Sequence, residues 1–132
     1  MLTSNGSVFL TDIASYKPAI IPQDNTTYYT YYFGSGKQSH KTCNVAPERF
    51  VEKKDFTNSP KDLLKGKKPS MDVFSLGCVI AELLLEEYLF DYEKLMEYKN
   101  NKVEITTTLS RIQNKDLQDL ITNMLEKDPL KR

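Results

Sequence analysis

Asp12 follows the apolar run Ser7-Val8-Phe9-Leu10-Thr11 directly, where a strand hands over to a loop, a common station for a side chain that does chemistry. Asp72 is the single acid near the start of the apolar stretch Ser70–Leu85, Ser-Met-Asp-Val-Phe-Ser-Leu-Gly-Cys-Val-Ile-Ala-Glu-Leu-Leu-Leu, apart from Glu82 further on. A carboxylate on a buried helix needs hydrogen-bond donors from a neighbouring backbone or side chain. Between these acids, Val45-Ala46-Pro47-Glu48-Arg49-Phe50 brings the chain through a proline-fixed bend into a short helix, with Glu48 and Arg49 buried or paired. Cys43 and Cys78 are the only thiols, one in a polar loop and one in the apolar helix. That usage argues against a disulfide framework and for a reducing compartment.

The element on which these residues depend is the stretch from Ser70. Ser70 is placed to cap the first free N–H groups of a helix, Pro69 stops it extending backwards, and Asp72 sits in the first turn where the dipole favours an acid. Apolar residues on nearly every side of it predict a helix buried all round. At the start of the chain, Asn5-Gly6 between Met1-Leu2-Thr3 and Ser7–Thr11 predicts a hairpin with a type I′ turn. Pro18–Lys41 carries Pro18, Pro22, Gly34 and Gly36 and no sustained period, which predicts a long loop, of a kind that is functional, disordered or both. Its aromatics Tyr28, Tyr29, Tyr31, Tyr32 and Phe33 pin that loop to its own domain rather than form a binding platform.

Lys53–Lys68 is polar and lysine-rich and reads as a solvated insertion. Phe90–Asn100 predicts a short amphipathic helix with Leu95, Met96 and Tyr98 inward. Ser110–Lys127 predicts a longer one facing the body with Ile112, Leu117, Leu120, Ile121, Met124 and Leu125, ended by Asp128-Pro129. The 132 residues suffice for one domain at most. Lys+Arg and Asp+Glu are 18 each, so nothing favours nucleic acid or an anionic surface as a partner. The longest apolar run, Cys78–Leu85, is broken by Glu82 and is too short to span a bilayer.

The order of the motifs carries more than any one of them. Hairpin, Asp12-Ile13-Ala14, long loop, Ala46-Pro47-Glu48, Met71-Asp72-Val73-Phe74-Ser75-Leu76-Gly77-Cys78 and Lys127-Asp128-Pro129-Leu130-Lys131-Arg132 together resemble the C-terminal lobe of a eukaryotic protein kinase. That resemblance implies a mainly α fold with a small N-terminal β-hairpin, the lower lobe of the two-lobed (α+β) kinase architecture. It implies one partial kinase domain over 1–132, with residues 13–48 as activation segment and a polar insertion over 51–69. Asp12 then stands where the family's magnesium-binding aspartate meets the nucleotide phosphates. Ala46, Pro47 and Glu48 anchor the activation segment, and Glu48 is expected to form a buried ion pair with Arg132. Asp72 is expected to receive hydrogen bonds from the backbone of the catalytic loop, and Gly77 belongs to the same helix motif. Thr42 and Ser39 lie where an activating phosphate would sit, with Lys37, His40 and Lys41 nearby. Thr42 is the candidate phosphorylation site, against the reading of an ordinary polar loop.

The stretches Asp12–Pro18, Thr42–Phe50 and Met71–Leu83 are similar in more detail to the vacuolar-protein-sorting protein kinases that serve as regulatory subunits of class III phosphatidylinositol 3-kinase complexes. By that resemblance the partners are the lipid kinase catalytic subunit and other members of the complex. The location is cytoplasmic and peripheral to endosomal or autophagic membranes, through the full-length protein. The resemblance starts after the catalytic loop, so ATP and Mg²⁺ are expected as cofactors of the full-length protein, while the 132 residues alone should bind neither tightly and transfer no phosphate. Ala14 stands where the family has a glycine, which restricts the backbone there. Two function classes follow: part of a serine/threonine kinase with Asp12 as metal ligand, or a catalytically inert kinase-like scaffold.

Overall fold

The computed structural model describes residues 3–9, 17–33, 42–54 and 68–132. Among these the element order is β1 (Ile21–Pro22), α1 (Thr26–Phe33), a 3-10 turn (Pro47–Arg49), β2 (Phe50–Val51), α2 (Lys68–Leu85), α3 (Tyr92–Lys99), α4 (Thr106–Leu109) and α5 (Lys115–Met124). The described chain is mainly helical. Its sheet is a single parallel pair, Ile21 opposite Phe50 and Pro22 opposite Val51.

Helix α2 organises the core. Met71, Phe74, Cys78, Ala81 and Leu85 are buried, and their alternating spacing of three and four puts them on one face. The opposite stripe, Asp72, Leu76, Val79 and Leu83, is exposed. The expected all-round burial is therefore corrected, and Asp72 is an exposed side chain rather than a buried one. The Ser70 cap is corrected too. The helix starts at Lys68, with Pro69 in the first turn where a missing N–H costs nothing, and the Ser70 hydroxyl donates instead to the Pro129 carbonyl at 2.6 Å. Glu86, just past the helix, takes φ 56, the left-handed turn that stops it.

Gly77 lets α5 cross α2 closely: a Cβ there would lie 2.9 Å from Met124 Cβ and 3.2 Å from a Leu125 methyl. Helices α3 and α5 are capped by Asp91 and Asn114, whose side chains accept from Lys94 N–H at 2.7 Å and Leu117 N–H at 3.1 Å. The cap at Asn114 shortens the helix expected over Ser110–Lys127. A separate turn, α4, precedes it, and Leu117 and Leu120 are exposed while Ile112, Ile121 and Leu125 are buried. Helix α3 turns Leu95 and Tyr98 inward, and the Tyr98 hydroxyl donates to the Leu125 carbonyl at 2.9 Å. Aromatic contacts run through the core from Phe74 to Phe90 to Tyr98.

The segment expected as a structureless loop contains β1 and α1. Asn25 supplies the start of α1 by accepting from Tyr28 N–H at 2.9 Å. Tyr29 is buried against Phe33, Phe50 and Tyr92, whereas Tyr31 is 79% exposed. One of the five aromatics thus carries most of the pinning. At the chain start Gly6 N–H donates to Thr3 O and Thr3 N–H to Ser7 O, with φ positive at Gly6 but not at Asn5. This is a three-residue loop closed by a left-handed glycine, not the expected type I′ turn. Residues 1–2 and 10–11, expected to extend its strands, lie outside the described residues, as do residues 55–67 of the polar insertion.

Candidate functional site

The segment Thr42–Phe50 holds four of the predicted residues, Thr42, Ala46, Pro47 and Glu48. Cys43, Val45, Ala46 and Pro47 are buried in the core, so Cys43 is corrected from a polar loop to the interior. Its thiol and that of Cys78 are free, and burial pushes both thiol pKa values up, which keeps them protonated and unreactive. Pro47 fixes the first position of the 3-10 turn. Glu48 follows and meets Arg132: Arg132 Nη2 lies 2.6 Å from Glu48 Oε2, with the side chains 0% and 7% exposed respectively. The approach lies off the hydrogen-bonding directions, and neither Glu48 oxygen, nor Arg132 Nε or Nη2, has a hydrogen-bond partner among the described residues. Arg132 is fixed otherwise by Nη1 donating to the Ser70 carbonyl at 2.9 Å and by its guanidinium over the Phe74 ring, 5.2 Å from the centroid.

Arg49 holds the other end of the segment. Its Nη2 and Nε donate to the Pro18 and Ala19 carbonyls at 2.7 and 3.1 Å, and its guanidinium lies over Phe33. Burial lowers its pKa, opposed by the charges of Asp72 and Glu48.

Glu82 is the residue that sequence reasoning missed. Its carboxylate accepts from the Thr42 hydroxyl at 2.9 Å, the Asn44 side-chain amide at 3.3 Å and the Leu89 backbone N–H at 3.2 Å. The signal was visible as the one acid interrupting the apolar run Cys78–Leu85. A hollow of about 330 Å³ opens beside Thr42, lined by Thr26, Tyr29, Thr30, Asp91, Tyr92 and Glu93. Its acids and hydroxyls suit a cationic or hydrogen-bonding guest more than an anion.

Asp12, the expected metal ligand, lies outside the described residues, as do Ala14, Lys37, Ser39, His40 and Lys41. Among the described residues no group of three or more His, Cys, Asp or Glu side chains comes together to hold a metal. No helix of the described residues is long and apolar enough to cross a membrane.

No protein-family model matches the chain. It is 40% identical to "Serine/threonine-protein kinase vps15" of Schizosaccharomyces pombe, over 100% of this chain and 7% of the relative. It is 36% identical to "Serine/threonine-protein kinase VPS15" of Arabidopsis thaliana over 98% of this chain and 8% of that protein. The protein of the same name in Saccharomyces cerevisiae is also 36% identical, over 100% of this chain and 9% of its own length. The chain therefore spans less than a tenth of each of these relatives. Along its length it matches a segment of the VPS15 serine/threonine-protein kinases.

Proposed function

We propose that the chain is the C-terminal-lobe part of a serine/threonine protein kinase, running from the magnesium-binding Asp12 through an activation segment at 13–48 to Arg132. In the full-length protein, ATP bound with Mg²⁺ supplies the phosphoryl group for transfer to a hydroxyl. The part played by these residues is to hold the segment that borders the reaction. Glu48 and Arg132 tie the end of that segment to the end of the lobe across α2, and this buried pair is the observation that best supports the reading. The exposed stripe Asp72, Leu76, Val79 and Leu83 is the face on which the catalytic loop and the rest of the lobe pack, with Asp72 accepting from that loop's backbone. The similarity to VPS15 kinases supports the finer assignment: regulatory subunit of a class III phosphatidylinositol 3-kinase complex in vesicle trafficking and autophagy, bound to the lipid kinase catalytic subunit at endosomal or autophagic membranes.

A second reading, an inert kinase-like scaffold in that complex, is favoured by Ala14 in place of glycine. Asp12→Asn in the full-length protein separates the two. Loss of phosphate transfer from ATP with complex assembly intact supports the kinase reading. Unchanged transfer overturns Asp12 as metal ligand. If the unsubstituted full-length protein transfers no phosphate yet assembles the complex, the scaffold reading stands.

A further inference from the structure

Asn5-Gly6 turns the chain between Thr3 and Ser7, and the same two residues set a nucleophile beside an electrophile. A bond from the Gly6 backbone nitrogen to the Asn5 side-chain carbon Cγ closes an unstrained imide ring. Gly6 has no side chain to shield its nitrogen, and nothing lies within 4 Å of where a Cβ would stand. The whole stretch Thr3–Phe9 is exposed, so water reaches the pair freely. The loop adds two donors aimed at the electrophile: Asn5 Oδ1 accepts from the Thr3 hydroxyl and from Ser7 N–H, the latter at 3.2 Å. Donors fixed at a carbonyl oxygen before reaction stabilise the negative charge that grows there as a nucleophile adds to its carbon. The Thr3 hydroxyl has the Ser7 carbonyl as a second acceptor at 3.1 Å and itself accepts from Ser7 N–H at 3.0 Å; growing charge on Oδ1 draws both donors towards it. Gly6 N–H donates to the Thr3 carbonyl at 3.0 Å and has to let go before its nitrogen can attack. In an exposed loop held by few contacts such an opening costs little.

We propose that Asn5 is a self-modifying site, an amide that its own loop converts to an acid. Gly6 N forms a bond to Asn5 Cγ and gives its proton to water, while the carbonyl electrons move onto Oδ1, where Thr3 and Ser7 hold the charge. As the carbonyl re-forms, the bond from Cγ to Nδ2 breaks and ammonia leaves with a proton taken from solvent. A cyclic imide remains. Water then adds to either imide carbonyl and the ring opens, so that overall water is consumed, ammonia is released and nothing is oxidised. Addition at Cγ gives aspartate in an ordinary main chain. Addition at the backbone carbonyl carbon gives isoaspartate, whose main chain runs through the side chain and is longer by a methylene. Aspartate keeps both donors and holds them with a full charge. Isoaspartate undoes the closure made by Gly6 to Thr3 and Thr3 to Ser7. Either product puts a negative charge in the loop that precedes Asp12 in the chain. The inference rests on the hydrogen bonds between Thr3 and Ser7 and does not depend on the kinase reading.

The test follows the peptide containing Asn5 by mass spectrometry while the full-length protein stands in neutral buffer at physiological temperature. Isoaspartyl methyltransferase with labelled S-adenosylmethionine is the probe for isoaspartate. Asn5 should convert faster in the folded protein than in the same protein unfolded in guanidinium chloride, and Asn101, which precedes Lys102, should stay an amide over the same period. Thr3→Val removes one donor from Oδ1 and should slow conversion in the folded protein about fivefold. Its rate in the unfolded protein should be unchanged, and Thr3→Ser should restore the folded rate. Conversion in the folded protein no faster than in the unfolded one overturns the proposal, because the loop then protects the amide. A folded Thr3→Val rate equal to or above that of the unsubstituted protein overturns it as well.

Discussion

Glu48 and Arg132 hold each other's charge in a place where little else does. Neither Glu48 oxygen has a hydrogen-bond partner among the described residues, so removing the guanidinium leaves a carboxylate buried at 7% exposure without its ion-pair partner, with only the neighbouring Arg49 charge to act on it. Arg132→Ala should lower stability by about 3–5 kcal/mol, read as a shift in urea midpoint at constant slope. Because a buried pair costs desolvation on both sides, replacing both residues together, Glu48→Leu with Arg132→Met, should recover most of that loss. A neutral effect of Arg132→Ala would sink the pairing. Tyr98 gives a pH prediction. Burial pushes its hydroxyl pKa up to about 12, against about 10 in an unfolded chain. A folded pKa above the unfolded one means a stabilisation that is complete below about pH 10 and lost as the pH climbs through about 12. Tyr98→Phe should flatten that alkaline fall while costing about 1 kcal/mol at neutral pH through the lost bond to Leu125. Equal alkaline slopes in the two chains would place the titration elsewhere.

At the scale of elements, the crossing of α2 and α5 at Gly77 sets two effects against each other. Alanine in a helix interior is favoured over glycine by about 0.8–1.0 kcal/mol. Its Cβ would nevertheless stand 2.9 Å from Met124 Cβ, an atom fixed to the α5 backbone that cannot swing aside, and overpacking of that kind costs about 1–3 kcal/mol. The clash should win: Gly77→Ala is expected to lower Tm, and a rise would mean that α5 can retreat freely. The existence of α2, α3 and α5 was legible because their apolar periods are strong, and the buried spacing Met71, Phe74, Cys78, Ala81, Leu85 is written in the chain. Which of several apolar faces is covered was not legible. Leu76, Val79 and Leu83 are as apolar as the buried set, and only the packing of the described elements decides between them. The Ser70 cap and the length of the last helix failed for a related reason. The helix begins at Lys68, two residues before Ser70, whose hydroxyl donates to the Pro129 carbonyl, and Asn114 caps a helix start inside a continuous apolar pattern. Helix α1 was missed because four tyrosines and three threonines among its eight residues carry no clear helical period; tertiary contacts of Tyr29 fix it. Of the site, Glu48 and Arg132 were readable through a family resemblance; Glu82 stood out as the acid breaking the apolar run, but its role was not legible, because its partners lie 7, 38 and 40 residues away.

The whole molecule leaves one side of its central helix open. Leu76 is 53% and Leu83 73% exposed, with Val79 between them on the same stripe, while α5 and Phe90 pack against the buried face of the same helix. An uncovered apolar stripe on the element that organises the core is a sticky surface in water. The 132-residue chain by itself is therefore expected to self-associate at micromolar concentration in sedimentation velocity. Leu76→Gln with Leu83→Gln should abolish that association. Because both side chains are already in solvent, the double variant should hold its thermal midpoint within the small range usual for surface changes, about 0.5 kcal/mol either way. In the full-length protein, where the proposed kinase lobe covers the stripe, the same two substitutions bury amides against apolar neighbours and should destabilise the lobe by several times that amount. A near-zero effect in the isolated chain beside a clear loss in the full-length protein would mark the stripe as an internal packing face. A monodisperse unsubstituted chain that melts cooperatively at ordinary temperatures would instead mean that α2 needs no further cover, and the packing role assigned to Asp72 and its stripe would fall with it.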